Sequence, residues 1–425
     1  MPTPSLLIVP ARFKSGKLYS QIPTSGAGDF RVTRATNATR VNASGLIESV
    51  ASGIPRLDYY TSGGTVGCPA LLVEPSGSNL ALQSENFLTT WAQTALAITT
   101  GFTSPSNNAN GTLIEANANT GRLRQTFAAI TSGTTHTLSL FAEAGNLALA
   151  SGVSLVFQEG TGTNFVSGVV QSFRLDTGTL GASGTLGAGF TLTRASIENY
   201  GSGWYRCSMT VTVSYTPASA NITIRPTSTI VSNLPVTVSG GSAYIYGAQL
   251  ETGSVATSYI PTTTAAVTRN ADVVSVSGAV SGSIGQTEGA FYAEVDVRNW
   301  VNLGRIFSIS DGTSNNRIMT LFNTSNRFRV IIDVSGSSAQ ADISSASLSN
   351  GIHKIAVGYA ANDVVFYVDG VLVGSDNTAN IPACSQVFLG KIETSASTNF
   401  INDRILDAAL YTTRLTNAEL AALTA

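Results

Sequence analysis

The stretch YRCSMTVTVSY, residues 205–215, alternates between apolar and polar side chains along its whole length. Its odd-numbered positions are apolar: Tyr205, Cys207, Met209, Val211, Val213 and Tyr215. Its even-numbered positions are polar: Arg206, Ser208, Thr210, Thr212 and Ser214. Successive side chains of a β-strand point to opposite faces of the sheet. A period of two therefore predicts a strand with one buried face and one solvated face.

Similar alternating segments, separated by turns rich in Gly, Ser and Asn, recur along the chain: 137–142, 221–225, 244–251, 328–334 and 353–359. Asp369-Gly370 separates two strand-like runs and predicts a two-residue type I′ hairpin turn. The one helical pattern is 415–423, where Thr416 and Glu419 have the spacing of a capping box. The sequence therefore predicts an all-β fold.

Charged residues make up 11% of the 425 residues, 23 Lys and Arg against 25 Asp and Glu. The usual share in soluble domains is about a quarter. With 43% hydrophobic residues the chain is not disordered, because disorder requires low hydrophobicity and high net charge. A net charge of −2 without any Lys/Arg run argues against a nucleic-acid partner. The sequence shows no apolar run of transmembrane length and no export-signal pattern at its start, so we expect no membrane insertion.

The residue types that bind metals or act as nucleophiles are few and widely spaced. Cys68, Cys207 and Cys384 show no C-x-x-C spacing and are predicted to be buried or half-buried thiols. His136 and His353 each lie within a strand pattern and are predicted to be structural. Four acidic residues of the C-terminal part match no calcium-loop spacing: Asp311, Asp333, Asp342 and Asp363. We expect neither a metal nor a cofactor.

Turn-rich stretches and strand patterns divide the chain into four parts. Residues 1–78 carry short, fragmented strands and are predicted to be a turn-rich β region used for attachment and assembly. Residues 79–262 hold enough alternating segments for one β-sandwich, and 286–425 enough for another. The intervening 263–285 is predicted to be a linker. The expected architecture is two jelly-roll β-sandwiches in tandem, preceded by the N-terminal region.

The C-terminal part resembles the laminin-G or concanavalin-A-like jelly roll. The matching runs are GAFYAEVDV at 289–297, HKIAVGY at 353–359, VFYVDGVLVG at 365–374, and 403–410 followed by Tyr411, Arg414, Leu415 and Glu419. The resemblance implies a lectin-like fold. Lectins, glycanases and modules without any ligand all use this fold, so the resemblance does not identify a ligand.

Two further segments resemble structural proteins of tailed phages. The run GAQLETGSVATSYIPTTTAAVTRNAD at 247–272, with GWYR at 203–206, resembles a carbohydrate-binding-module-type jelly roll common in those proteins. Five runs are similar to their N-terminal signature: 28–34, 38–42, 45–48, 55–59 and 71–75. The resemblance implies a bacteriophage virion component, such as a tail, fibre or head appendage. It also implies partnership with other virion proteins, and homo-oligomers that are often trimers.

The run Glu294-Val295-Asp296-Val297-Arg298 is the one candidate for hydrolytic chemistry. In some concanavalin-A-like glycanases a Glu-x-Asp-x-Glu strand carries the catalytic carboxylates on one sheet face. Retaining hydrolysis requires a pair of carboxylates, and the second one is replaced here by Arg298. We therefore expect an ion pair of Arg298 on an ordinary strand, and no enzymatic activity.

A sugar site needs an exposed aromatic ring that stacks on a pyranose face and polar groups that bind its hydroxyls. Trp204 lies beside Arg206 on the polar face of the 205–215 strand. There the indole is either a stacking platform or a plug beneath a loop. Trp300, flanked by Asn299 and Asn302, is the second candidate.

The predicted function is attachment of a virion to host-surface glycans. Two alternatives stay open: an extracellular glycan-processing enzyme with accessory binding domains, and a structural decoration protein whose lectin folds bind no sugar. The Tyr59-Tyr60 pair fits an inter-subunit contact as well as a ligand contact.

Overall fold

The computed structural model of the protein describes residues 2–60, 66–128, 130–160, 167–227, 229–231, 234–392 and 399–425. The N-terminal strands are β1 (Leu6–Ile8), β2 (Phe13–Lys14), β3 (Lys17–Leu18), β4 (Phe30–Thr33), β5 (Ala38–Val41), β6 (Ile47–Val50), β7 (Leu57–Tyr60), β8 (Val66–Val73) and β9 (Gly77–Asn79).

The middle strands are β10 (Ala92–Thr94), β11 (Leu96–Phe102), β12 (Gly111–Ala116), β13 (Arg122–Ala128), β14 (Thr135–Ala144), β15 (Gly152–Glu159), β16 (Gly168–Arg174), β17 (Thr179–Leu186), β18 (Phe190–Asn199), β19 (Trp204–Val213), β20 (Ser219–Thr227), β21 (Thr229–Val231), β22 (Leu234–Val236) and β23 (Ser242–Thr252).

The C-terminal elements are β24 (Val267–Arg269), β25 (Val273–Ser277), a 3₁₀ helix (Ala279–Ser283), β26 (Glu288–Val297), β27 (Arg305–Ser310), β28 (Arg317–Asn323), β29 (Arg327–Val334), β30 (Ser337–Ser344), β31 (Gly351–Ala360), β32 (Asp363–Val368), β33 (Val371–Asp376), β34 (Gln386–Leu389), β35 (Asp403–Tyr411) and helix α1 (Asn417–Thr424). The all-β prediction is confirmed.

The middle of the chain forms a sandwich of two antiparallel sheets. Sheet I has the strand order β10-β13-β20-β15-β16-β17, and sheet II has the order β11-β12-β23-β14-β19-β18. Strand β19 points its apolar side chains into the shared core as predicted: Cys207, Met209, Val211 and Val213. Its polar face was predicted to be solvated, but Arg206 and Thr210 are buried. The chain after β23 folds back over them, so that Arg206 donates to the carbonyl of Thr257 and Thr210 to that of Ser254.

The second sandwich is built from both ends of the chain. Sheet III has the order β33-β32-β31-β26-β35-β8-β7, with β1 also pairing with β35. Sheet IV has the order β2-β3-β4-β25-β34-β27-β28-β29-β30. In sheet III, Leu6 pairs with Leu410 and Leu71 with Ile405. Residues 1–78 therefore contribute strands to both sheets and side chains to their common core.

The middle sandwich is inserted into the second sandwich and does not simply precede it. It leaves after β8 and returns before β25, and at this junction β9 pairs with β24, Gly77 facing Arg269. The predicted linker 263–285 contains β24, β25 and the 3₁₀ helix, so it belongs to the fold. The sequence predicted a tandem arrangement because the alternation pattern shows which face of a strand is apolar but not which other strand it pairs with.

Several local predictions hold. Asp369 (φ 48°) and Gly370 (φ 78°) form the turn between β32 and β33 with the two positive φ angles of type I′. Helix α1 begins at the predicted capping box of Thr416 and Glu419. In the described part of the chain, no helix is long and apolar enough to span a membrane.

The thiol prediction is right for Cys207 and Cys384, which are buried, and wrong for Cys68, which is exposed. Strand β35 pairs with β8 only over its last three residues, from Leu71 onward. Cys68 lies on the part of β8 that this partner does not cover.

A buried ion cluster holds the junction together. Asp272 binds Arg34 (Nη1 to Oδ1, 2.9 Å) and both of its carboxylate oxygens bind Arg56. Glu74 binds Arg56 (Nη1 to Oε2, 2.7 Å) and lies 3.4 Å from Nη2 of Arg269. All five side chains are at most 4% exposed. We call these five residues the neck cluster. Arg34, Arg56 and Glu74 precede the middle sandwich in the sequence, and Arg269 and Asp272 follow it, so the cluster joins the two segments that lead into and out of the middle sandwich.

Electrostatics in the neck cluster favour the charged forms. Burial alone would raise the pKa of Glu74, but Arg56 and Arg269 hold it well below its ordinary value. Burial would likewise lower the pKa of Arg56, and Asp272 and Glu74 instead raise it above the ordinary value. A buried ion pair with both partners present has little net effect on the free energy of unfolding. Loss of one partner leaves the other charge buried and unpaired, which destabilises the folded protein.

The segment after β23 attaches the middle sandwich to the neck cluster. Glu251 accepts hydrogen bonds from the backbone N of Thr257 (2.9 Å) and from its hydroxyl (2.6 Å). Ser258 donates from its backbone N and from its Oγ to Glu74, both at 2.7 Å. This part of the 247–272 run therefore has a structural role at the junction.

Replacing Glu74 with Gln should lower the free energy of unfolding by about 3 kcal/mol, because Arg56 and Arg269 would lose their carboxylate. The folded-state pKa of Glu74 lies below its ordinary 4.5, so its stabilisation is present above about pH 4.5 and is lost as the pH falls below that value. The unmodified chain should therefore lose stability more steeply than the variant on acidification. Urea titrations near neutrality and in acid measure both effects.

The matched control is Glu48→Gln, which removes the half-exposed partner of Arg40. A surface pair of this kind contributes less than about 1 kcal/mol. Equal losses in the two variants would contradict a special role of the neck cluster.

Deleting residues 1–76 should prevent the second sandwich from folding, because both of its sheets lose strands. A chain of residues 77–269 should fold, because its core residues lie between Ala81 and Leu250 and β9 still pairs with β24. Thermal unfolding and limited proteolysis of the two shortened chains measure this. A cooperative, protease-resistant second sandwich in the chain that lacks 1–76 would refute the composite architecture.

Candidate functional site

A cleft lies where β18, the edge strand of sheet II, faces β26, β31 and β35 of the second sandwich. Its volume is about 500 Å³, within the range of small-molecule sites. Its lining combines apolar side chains with hydroxyl, amide, carboxylate and guanidinium groups, among them Arg194, Ser196, Glu198, Asn199, Arg298 and Asn350. The cleft therefore offers many hydrogen-bonding groups from both sandwiches.

Arg298 connects the two walls. Its side chain forms the ion pair with Asp296 that the sequence predicts (Nη2 to Oδ2, 2.7 Å). Its backbone N donates to Asp403 (2.8 Å). Its carbonyl oxygen accepts from Arg194 of the middle sandwich (2.8 Å) and from Asn350 (3.0 Å). One backbone carbonyl at the end of β26 thus links β18 to the second sandwich.

Tyr60 fills the space between the sandwiches behind this contact. Its ring stacks on Tyr200 with 4.5 Å between centroids. The guanidinium groups of Arg298 and Arg404 lie 4.6 and 5.0 Å from the Tyr60 centroid. Burial raises the pKa of the Tyr60 hydroxyl above its ordinary value, so the phenol stays neutral. The Tyr59-Tyr60 pair was expected to make an inter-subunit or a ligand contact; the Tyr60 ring is instead buried in contacts within the chain.

The cleft continues inward into a smaller cavity of about 50 Å³. Arg206 and Asn299, two of the residues selected from the sequence, both line it. Asn299 donates to the carbonyl of Asn402 (3.1 Å), and Asn402 donates to that of Ala256 in the middle sandwich (3.2 Å). The structure thus brings together two candidates from different sandwiches.

The other predicted site residues lie elsewhere. Trp204 is 4% exposed and packs with Phe141 and Tyr259, so it is the plug of the two interpretations and has no open face for stacking. Trp300 packs edge-on against Phe322, 5.1 Å between centroids, beside the core of the second sandwich. Asn302 is exposed on the loop after β26 and does not line the cleft. The sequence around a tryptophan in a strand does not show which distant side chains pack on its ring, so the exposure of Trp204 and Trp300 could not be predicted.

Reasoning from the sequence missed Arg194, Glu198, Asn350 and Arg404. One signal was present: in a chain with 11% charged residues, Arg194 and Glu198 lie on the same strand with even spacing. Two charges on one face of an edge strand favour a functional surface over a purely structural one. The opposing residues could not be found without knowing how the sandwiches pack.

Both histidines have hydrogen-bond partners in the described structure. His353 binds Asp369 (Nδ1 to Oδ2, 2.7 Å) and His136 binds Thr134 (2.9 Å), both within the sheet framework. No group of three or more metal-ligating side chains occurs in the described ranges. Three of the four acidic candidates bind arginines: Asp333 with Arg317, Asp342 with Arg329 and Asp363 with Arg414.

The chain is similar, at low identity and over part of its length, to several solved structures. The CBM40 module of the Ruminococcus gnavus IT-sialidase, bound to α2,6-sialyllactose, is 12% identical; the match covers 35% of this chain and 88% of that one, with a TM-score of 0.31. Domain 4 of AbnA, a GH43 extracellular arabinanase from Geobacillus stearothermophilus, in complex with arabinotriose, is 12% identical over 40% and 82%, with a TM-score of 0.30. The SAP-like pentraxin of Limulus polyphemus is 16% identical over 33% and 70%, with a TM-score of 0.28.

No curated protein matches the chain. The family model described as the concanavalin A-like lectin/glucanases superfamily matches residues 282–421. This range contains β26–β35, the strands that form most of sheets III and IV. Residues 282–421 are therefore a concanavalin A-like lectin domain of the laminin G type.

Proposed function

We propose that the protein is a non-enzymatic component of a tailed-phage virion that binds host-surface glycans in the cleft between its two sandwiches. The observation that carries the proposal is the cleft of about 500 Å³, to which both sandwiches contribute hydrogen-bonding side chains. Saccharide hydroxyls are both donors and acceptors of hydrogen bonds, so they suit a surface of amide, hydroxyl and guanidinium groups.

An aromatic ring is also available at this site. Tyr205 lines the cleft and is half-buried. It lies over Gly178, where a Cβ atom would approach the Tyr205 ring to 2.6 Å. The glycine thus leaves room for this ring, the one candidate among the described cleft residues for stacking on a sugar.

The absence of a catalytic carboxylate pair supports a binding role. Retaining and inverting glycosidases both use two carboxyl groups, one of them free to exchange a proton. Among the described carboxylates of the cleft and its inner cavity, Asp58, Glu74 and Asp296 bind arginines. Glu198 alone in this set forms no ion pair.

The virion assignment is supported by the phage-like runs and by the low charge. Surfaces that neighbouring subunits cover are depleted of charged residues. The N-terminal runs that resemble phage proteins supply Arg34, Arg56 and Glu74 to the neck cluster, so they also have a structural role.

Glu198→Gln and Arg194→Ala should each weaken glycan binding about tenfold or more, since each removes a charged hydrogen-bonding group from the cleft. An array of bacterial surface polysaccharides identifies the ligand, and titration calorimetry measures the affinities. Glu115→Gln, an exposed carboxylate on β12 outside the cleft, is the control and should bind normally.

Three results would contradict the proposal. Absence of binding to every polysaccharide tested would favour the decoration protein. Release of reducing sugar during incubation would favour the glycan-processing enzyme. Equal affinity in all three variants would place the sugar outside the cleft.

The virion assignment predicts that mass spectrometry of purified particles of the encoding phage detects this chain at a fixed ratio to the capsid protein. Recovery in the infected-cell supernatant alone would refute it.

A further inference from the structure

One end of sheet IV, formed by β2, β3 and β4, carries a row of positive charges. Lys14 on β2 lies directly opposite Lys17 on β3, and Lys17 lies directly opposite Arg31 on β4. Residues that lie directly opposite on neighbouring strands share one face of the sheet. Their strand neighbours Leu18 and Phe30 point into the core of the second sandwich, so the row lies on the outer face. We call Lys14, Lys17 and Arg31 the cationic row.

Solvent reaches every member of the cationic row. Lys14 and Arg31 are exposed, and the side chain of Lys17 is 38% exposed. Strand β2 is the last strand of sheet IV at this end, so no strand of the described chain extends the sheet beyond Lys14. A ligand can therefore contact all three side chains without any rearrangement of the fold.

The positive charge of the row is only partly neutralised within the chain. Asp29 binds Lys17 (Nζ to Oδ2, 3.1 Å) and is the one acidic residue among residues 1–47. Lys14 and Arg31 form no ion pair with any described residue. Like charges that lie directly opposite each other destabilise a sheet. The row therefore has an unfavourable effect on the stability of the free protein, in contrast to the neck cluster, where arginines and carboxylates are paired.

An aromatic ring lies among the charges. Tyr19 follows β3 and is half-buried, and its ring centroid lies 6.0 Å from Nζ of Lys14 and 5.8 Å from Nζ of Lys17. The exposed guanidinium of Arg12 lies 5.7 Å from the same centroid. The face of an aromatic ring attracts cations. Tyr19 thus keeps the two ammonium groups close together at the surface and partly offsets their repulsion.

The spacing of the row indicates what kind of anion fits it. Neighbouring strands lie about 4.8 Å apart, so the row presents one cation at about that interval across the strands. Acidic side chains on one face of a partner β-strand would repeat at about 6.7 Å and could not match all three cations. One sugar residue of a linear glycan has about the length of the interval between strands. A glycan with one anionic group per sugar therefore matches the row better than an acidic strand does.

We propose that the cationic row, together with Tyr19 and Arg12, binds a linear acidic glycan that carries one carboxylate or sulfate group per sugar and lies across β2, β3 and β4. Ammonium groups bind oxyanions as point charges, and the Arg31 guanidinium adds paired, charge-assisted hydrogen bonds. This surface belongs to sheet IV, whereas the cleft lies between sheets II and III. The proposal therefore does not rest on glycan binding in the cleft.

The test uses the full chain and four probes: an oligogalacturonate, a sulfated oligosaccharide, a neutral glucan of equal length, and a single-stranded oligonucleotide of equal charge. Calorimetry should show that at least one acidic glycan binds about tenfold or more tightly than the neutral glucan. The oligonucleotide should bind more weakly than that glycan, because its phosphates are spaced more widely than the charges of the row. Binding should weaken as salt rises, since the charges are exposed. The two acidic glycans distinguish carboxylate from sulfate specificity.

The double substitution Lys14→Gln/Arg31→Gln should weaken acidic-glycan binding about tenfold or more. It should not lower the melting temperature of the unliganded chain, because it removes like charges that face each other. Lys14→Arg, which keeps the charge, should bind normally. The matched control is Arg327→Gln, which removes an exposed arginine from β29 near the other end of sheet IV and should also bind normally.

Three results would overturn the proposal: equal affinity for the neutral and acidic glycans, acidic binding that the double substitution leaves unchanged, and an oligonucleotide that binds as tightly as the acidic glycan. The last result would identify a general polyanion surface. Arg194→Ala, in the cleft, should leave binding at the cationic row unchanged, so a failure of this proposal is distinguishable from a failure of the cleft.

Discussion

Asp272 is the residue on which the architecture depends most. It binds Arg34 and Arg56, which precede the middle sandwich, and lies 3.8 Å from Arg269, which follows the middle sandwich. Because the middle sandwich is inserted between β8 and β25, the chain crosses the junction twice, and both crossings must lie side by side. A native domain is stable by only about 5–15 kcal/mol, so a buried cluster whose disruption costs about 3–5 kcal/mol is a large part of that total.

The junction also positions the cleft. Ser258 is bound to Glu74 of the neck cluster, and the carbonyl of the nearby Ala256 accepts from Asn402 of the lectin domain. Arg194 reaches the same domain from β18. The two walls of the cleft are therefore held by the ion cluster at one end and by hydrogen bonds at the other. Few charged residues exist in this chain, and many of them lie at these two places.

Prediction from sequence succeeded where the determining interactions are local. The apolar face of β19, the Asp369-Gly370 turn and the Thr416 capping box depend on neighbours within a few residues, and each is found as predicted. It failed where the partner is distant. The strands of 1–78 are two to eight residues long, too short for their pattern to reveal that they complete two sheets begun more than two hundred residues away. The same holds for the predicted site residues: Arg206 and Asn299 line one cavity, whereas Trp204 packs in a buried aromatic cluster.

The sequence by itself determined the all-β class, the turn chemistry, the apolar face of each long strand and the scarcity of charge. These follow from the two-residue period of a strand and from the backbone preferences of single residues. Only the tertiary structure decided that the N-terminal region belongs to the second sandwich, that five charges meet in one buried cluster, and that Arg206 of the β19 polar face is buried under the chain that follows β23. Those outcomes depend on which surfaces are brought together in space, because charge pairing and hydrogen-bond satisfaction are properties of contacts and not of residues.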